Sequence, residues 1–132
     1  MAMNDDTSRG TTAVPCVLLA DDDRSIRRAL SSCLGLQGYR VAVAADVESA
    51  LGTLQTDSID LVITDAHMPG DTRQIIRHAH EGSVRIPVVL YSSADDQLCR
   101  ELAPLADAFV RKQEDAEALL RVVSHCLGRG RE

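Results

Sequence analysis

The feature that most limits how this chain can fold is an alternation: five short apolar runs, each followed by a stretch with helical spacing of its apolar residues. The runs are Cys16–Ala20, Tyr39–Ala44, Ile59–Thr64, Pro87–Tyr91 and Ala108–Val110. Runs this short and this rich in Val, Leu and Ile suit strands buried on both faces, as in a parallel sheet. Between them, Ile26, Ala29, Leu30, Cys33, Leu34 and Gln37 mark the inner face of a first helix that begins at Ser25 and is closed by Gly38. Val47, Ala50, Leu51 and Leu54 mark a second helix, and Ile75, Ile76 and Ala79 a third over Thr72–Glu81. A short fourth, Asp95–Ala103, stops at Pro104, and a fifth starts near Glu114 with Ala118, Leu119, Val122, Val123 and Cys126 inward. Strands alternating with helices over such short connections predict an α/β fold, a doubly wound five-stranded parallel sheet flanked by five helices.

At 132 residues the chain fits one domain able to bury roughly two thirds of its unfolded surface. The reading is a flexible N-terminal arm over 1–14, a domain over 15–127, and a flexible tail or the start of a linker over 128–132. Cys16, Cys33, Cys99 and Cys126 form no CxxC pair and follow no signal peptide, so they read as reduced thiols of a cytoplasmic protein. No apolar run approaches the ~20 residues of a membrane span. With 14 basic against 20 acidic residues, one Phe, two Tyr and no Trp, direct nucleic-acid binding is not expected.

Polar residues end the apolar runs. Asp21-Asp22-Asp23 follows the first, Asp65 the third, Ser92 and Ser93 the fourth, and Lys112 the last. Alone, each reads as a turn residue or a cap, and Asp23 is most simply the cap of the first helix. In a parallel sheet, however, all of them fall at the carboxyl edge, where ligands of open α/β sheets bind. Three carboxylates brought together repel, and a hard divalent cation with oxygen ligands, in practice Mg²⁺, relieves that repulsion. Asp65 is then a candidate nucleophile toward a phosphoryl group, with Lys112 and Ser92 of the right types to share its oxygens.

The stretches Val17-Leu18-Leu19-Ala20-Asp21-Asp22-Asp23, Leu61-Val62-Ile63-Thr64-Asp65-Ala66-His67-Met68-Pro69, Pro87-Val88-Val89-Leu90-Tyr91-Ser92-Ser93 and Phe109-Val110-Arg111-Lys112 together resemble the receiver domain of bacterial two-component response regulators, the CheY-like fold. The resemblance covers roughly residues 16–127 and implies the strand order 2-1-3-4-5. It also implies a phosphoacceptor at Asp65, an acidic pair Asp21 and Asp22 for Mg²⁺, and a backbone carbonyl of His67 on the metal. Ser92 would be the hydroxyl that moves on activation, Lys112 its cationic partner, and Phe109 the aromatic that changes position. The implied partners are a histidine kinase or histidine phosphotransfer protein and a downstream protein or C-terminal output domain, with homodimerisation a further option. The implied role is that of a phosphoacceptor, which assists its own phosphorylation and dephosphorylation, and not that of a classical enzyme.

Several positions depart from the family pattern. Gln113 stands where proline usually follows the lysine, the loop after Asp65 is about a residue short, and the segment from Ser92 to Asp107 is shortened. A phosphorylation-independent interaction module is the alternative these departures leave open. A phosphohydrolase working through an aspartyl intermediate would want a carboxylate two residues past Asp65, where this chain has His67, and a flavodoxin-like carrier would not place Asp21-Asp22-Asp23 against a phosphate. His78 and His80 read as solvent-facing, Asp95-Asp96 as the cap and first turn of the fourth helix, and Ser92-Ser93 lacks the GxSxG turn of a hydrolase nucleophile.

Overall fold

Cys16–Ala20 forms β1, and all five of its residues are buried, as an apolar run without polar alternation requires. The computed structural model describes residues 14–113 and 116–128. In these, β1 is followed by α1 (Arg24–Leu36), β2 (Arg40–Ala44), α2 (Val47–Thr56), β3 (Leu61–Thr64), α3 (Thr72–Glu81), β4 (Val88–Ser92), α4 (Gln97–Leu102), β5 (Ala108–Arg111) and α5 (Ala116–Cys126). Every strand pairing is parallel and the order is β2-β1-β3-β4-β5, the expected doubly wound sheet.

Strand geometry sends successive side chains to opposite faces, and both faces are covered. Leu18, Ala20, Val62, Val88 and Leu90 pack with Ala50 and Leu54 of α2, Ile75 and Ala79 of α3 and Leu102 of α4. Val17, Leu19, Leu61, Ile63 and Val89 meet Leu30 and Leu34 of α1 and Leu119 and Val123 of α5. Each fully buried Leu or Val contributes roughly 1.5–3 kcal/mol, so the sheet is the middle layer of a three-layer core. Four helices start at an aspartate: Asp23, Asp46, Asp71 and Asp96 each accept a hydrogen bond from a backbone N–H in the first turn. β3 lies at the sheet's centre with β1 beside it, and the chain crosses over β1 between β2 and β3. The switch point is therefore between the carboxyl ends of β1 and β3, where Asp21 and Asp65 emerge.

Some expected bounds shift, each for a local reason. Ala29 and Gln37 are exposed, because Ile26, Leu30 and Leu34 at four-residue spacing already fill the inner face of α1. β3 starts at Leu61 instead of Ile59: the Asp60 carboxylate accepts from the Cys16 amide at 2.8 Å and takes a place the ladder would otherwise have. Pro87, with no N–H, stays outside β4, while Ser92 joins the strand as its last residue. The Tyr39 amide returns to Leu34 O and closes α1, so β2 begins one residue later. α4 is shorter than expected because Asp96 is its cap, which leaves Asp95 outside, 3.2 Å from Arg111. His80 is not simply solvent-facing: its Nε2 lies 2.8 Å from Asp107, which also accepts from Arg85 at 2.7 Å and from the Val88 amide at 2.7 Å. The expected arm before Val14, the tail after Gly128, and Glu114 lie outside the described residues.

Candidate functional site

Asp21 leaves β1 with its amide bonded to Ala44 O, and its Oδ1 accepts from the Asp23 amide at 2.9 Å. That bond turns the chain into α1, and Arg27 donates back to Asp21 O at 2.8 Å. Asp65 leaves β3 with its amide on Ala20 O, and its Oδ1 accepts from His67 N at 3.4 Å. Lys112 leaves β5 with its amide on Ser92 O. Parallel strands thus aim three side chains at one point, and Lys112 Nζ lies 2.7 Å from Asp21 Oδ2 and 3.1 Å from Asp65 Oδ2. Asp21 is 1% and Asp65 8% exposed, while Asp22 is open to solvent.

One carboxylate oxygen from each of Asp21, Asp22 and Asp65 lies within 4.8 Å of the other two. Three carboxylates against one ammonium leave two negative charges in excess. Burial pushes the Asp21 carboxyl above its ordinary range, and its hydrogen bonds from Lys112 and Asp23 only partly offset this. For Lys112, burial opposes the charge, yet the Asp21 hydrogen bond and the Asp65 charge outweigh it and hold the ammonium above its usual value. Lys112 is therefore a fixed cation at neutral pH. An all-oxygen donor set with excess negative charge and an exposed entry side fits a hard divalent cation of the Mg²⁺ type.

The remaining expected residues divide. Ser92 is 1% exposed, and its Oγ accepts from Cys99 Sγ at 3.5 Å and from the Ala94 amide at 3.4 Å. Phe109 is half-buried, packed on the α2–α4 side of the sheet with the Arg111 guanidinium 5.8 Å from its ring centre. His67 places its amide on Asp65, and its imidazole turns outward to Asp96, 2.8 Å away. Gln113 in place of proline does not pull Lys112 from the pocket, and its side-chain amide donates to Ser93 O at 2.8 Å, tying the β5–α5 loop to the β4–α4 loop.

Two residues near the site were not singled out from the sequence. Tyr91 lies under the Lys112 ammonium, 5.8 Å from ring centre to nitrogen, and burial raises its phenol. Cys99 touches the Ser92 hydroxyl. Tyr91 could have been found as the last apolar residue before Ser92, whereas Cys99 depends on how far α4 is set back from β4, which spacing does not tell.

An α/β sheet with the 2-1-3-4-5 order and an acidic pocket faced by a lysine at its carboxyl edge defines a class of small signalling domains. Residues 17–124 match the response regulator receiver domain family, and the chain belongs to it. It is 35% identical over 116 residues to the response regulator protein FleR of Pseudomonas aeruginosa, covering 85% of this chain and 24% of FleR. To the transcriptional regulatory protein CpxR of Escherichia coli it is 37% identical over 111 residues, covering 80% of this chain and 47% of CpxR. The chain thus spans about a quarter of the length of one of these relatives and about half of the other. The chemotaxis response regulator CheY4 of Vibrio cholerae superposes with a TM-score of 0.76 at 25% identity, over 86% of this chain and 99% of that one.

Proposed function

We propose that this receiver takes a phosphoryl group on Asp65 from a phosphohistidine of a histidine kinase or histidine phosphotransfer protein, with Mg²⁺ as cofactor. The observation that carries the reading is the Lys112 ammonium held between Asp21 and Asp65, at 2.7 and 3.1 Å. In the transfer an Asp65 oxygen bonds to phosphorus as the bond from phosphorus to the donor's imidazole nitrogen breaks, and the departing imidazole takes its proton from solvent. Little covalent work falls to the protein, so positioning and charge neutralisation carry the step. Lys112 faces the phosphoryl oxygens once the Asp65 charge has moved onto them. Asp21, Asp22, Asp65 and the His67 carbonyl would hold Mg²⁺, which when bound neutralises the crowded oxygens.

The Ser92 hydroxyl then leaves Cys99 for the phosphoryl group, and Phe109 shifts with it. A downstream protein or a C-terminal output domain reads the α4–β5–α5 face through its differential affinity for the two states. The domain acts as a phosphoacceptor that assists its own phosphorylation and dephosphorylation, in the cytoplasm where its kinase presents the donor, and a homodimer would present two such faces. A net charge of −6 supports a protein partner over direct nucleic-acid contact. Among the described residues no helix is long and apolar enough to cross a membrane. Gln113 and the short loops, which motivate a phosphorylation-independent module, leave Lys112 on Asp65, and this favours the phosphorylated reading.

The test is intact-mass spectrometry after incubation with acetyl phosphate and Mg²⁺. The expected result is a gain of about 80 Da in the parent and none in Asp65→Asn. An equal gain in both proteins, or no gain in a folded parent, overturns the reading.

A further inference from the structure

We infer that His67, Asp96 and Cys99 form a second cation site, for a borderline-soft divalent ion of the zinc class, where the β3–α3 loop meets α4. One donor atom from each lies within 4.8 Å of the other two. His67 Nε2 is already 2.8 Å from Asp96 Oδ2. The other oxygen of that carboxylate accepts from the Cys99 amide at 3.1 Å, which fixes its orientation as an outer-shell hydrogen bond fixes a ligating carboxylate. Cys99 is 1% exposed, and its thiol approaches from the core side, whereas His67 and Asp96 are exposed. The fourth position therefore opens to water, an arrangement of three protein ligands and one open place.

Taken singly, the pieces are plain: a surface ion pair and a small core side chain. What distinguishes them is that an imidazole and a thiol converge on one carboxylate from different parts of the chain. Bonds of ~2.0–2.3 Å in a tetrahedral site put ligand atoms roughly 3.3–3.8 Å apart, so His67 Nε2 and Asp96 Oδ2 would open by about half an ångström to an ångström and Cys99 Sγ would draw in by no more than about an ångström and a half. The donor set also separates this site from the Asp21, Asp22 and Asp65 pocket, whose oxygens suit a hard cation.

Binding releases the Cys99 thiol proton to solvent and forms the metal–sulfur bond. The sulfur, now a thiolate, becomes an acceptor for the Ser92 hydroxyl, reversing the hydrogen bond that runs from Cys99 to Ser92. The ion also fastens the cap of α4 to the loop that carries Asp65. If Ser92 has the role proposed above, on which this consequence rests, occupancy holds its proton away from the phosphoryl group.

Cobalt(II) is the probe, added to the full chain in excess Mg²⁺ so that the carboxylate pocket is filled. The expected result is a near-ultraviolet thiolate-to-cobalt absorption that saturates at one equivalent and is displaced by Zn²⁺. It is lost in Cys99→Ala, weakened at least ~10-fold in affinity in the surface variants His67→Ala and Asp96→Asn, and retained in a Cys33→Ser, Cys126→Ser double variant. The surface variants keep the test sharp should Cys99→Ala fold poorly. No absorption, an absorption that survives Cys99→Ala, or one indifferent to His67→Ala overturns the site. These readings do not depend on phosphorylation of Asp65, so the two proposals fail separately.

Discussion

Replacing Gly70 by Ala tests the loop that holds Asp65 and α3 in place. Gly70 has φ +104°, in the left-handed region, and a Cβ built on it falls 2.6 Å from Val47 Cβ and 2.9 Å from Val47 Cγ2. The conformation alone costs an L-residue roughly 1–2 kcal/mol. The overlap adds roughly 1–3 kcal/mol, because Val47 is 2% exposed and its amide is pinned to Pro69 O at 3.0 Å, so neither side can yield freely. The expected loss is ~2–5 kcal/mol in urea unfolding. Gly52→Ala is the matched control: it lies within α2 with nothing within 4 Å of the added Cβ, and it should gain ~0.5–1 kcal/mol. A Gly70→Ala loss below ~0.5 kcal/mol, or a loss equal in sign and size at Gly52, refutes the reasoning.

Two further outcomes follow from the charges. Mg²⁺ at ten times its Kd should stabilise the parent by ~1.4 kcal/mol in thermal unfolding, and Asp22→Asn, an exposed change on the acidic pocket, should remove most of that increment without altering the Mg²⁺-free midpoint much. Burial works against the Asp107 carboxylate, but the Val88 amide, Arg85 and His80 outweigh it and hold its pKa below the ordinary 3.8. Its stabilisation is therefore present above pH 3.8 and lost as pH falls through the lower folded value, so the stability difference between the parent and Asp107→Asn, roughly 1–3 kcal/mol at pH 7 by urea, should vanish in strong acid. A difference that grows on acidification refutes the assignment.

The fold was legible where one physical cause acts alone. β1, β3 and β4 are buried throughout and carry nearly unbroken apolar runs, a pattern that strands covered on both faces must have, and the edge strands β2 and β5, only partly buried, still keep a short apolar run, so the strands were found at nearly their full length. Thr72–Glu81 was found to the residue because Asp71 caps it and Ile75, Ile76 and Ala79 agree on one inner face. The convergence of the candidate site residues was legible by topology: a parallel sheet puts every strand's carboxyl end on one edge, and Asp21, Asp65 and Lys112 are each one residue past such an end. What stayed hidden depends on side chains that compete with the backbone. Asp60 reaches the Cys16 amide and shortens β3, and Asp107 takes the Val88 amide and draws in His80 and Arg85. No periodicity encodes either bond, since each joins residues far apart in the chain. Gln113 is the clearest case. The sequence marked it as a departure, but only the structure reveals that its amide donates to Ser93 O while Lys112 stays paired with Asp21 and Asp65.

A separate set of side-chain contacts gathers around α4. The helix has six residues, too few to be stable on its own propensity, so its position is set by what grips it. Cys99 and Leu102 anchor it to the sheet, while His67 holds Asp96 at its start and Arg73 of α3 holds Glu101 near its end. Arg111 of β5 holds Asp95 just before it and also covers the Phe109 ring. The ion pairs lie on the surface, where solvent and salt weaken them, so the grip is loose outside two buried side chains. One of those two, Cys99, also donates to the Ser92 hydroxyl. Ser92 is therefore in direct contact with one of the two buried side chains that anchor α4, and Arg111 links Asp95 to the Phe109 ring. A short helix, weak outer ties and one shared buried contact make α4 the element of this sheet edge that moves at least cost.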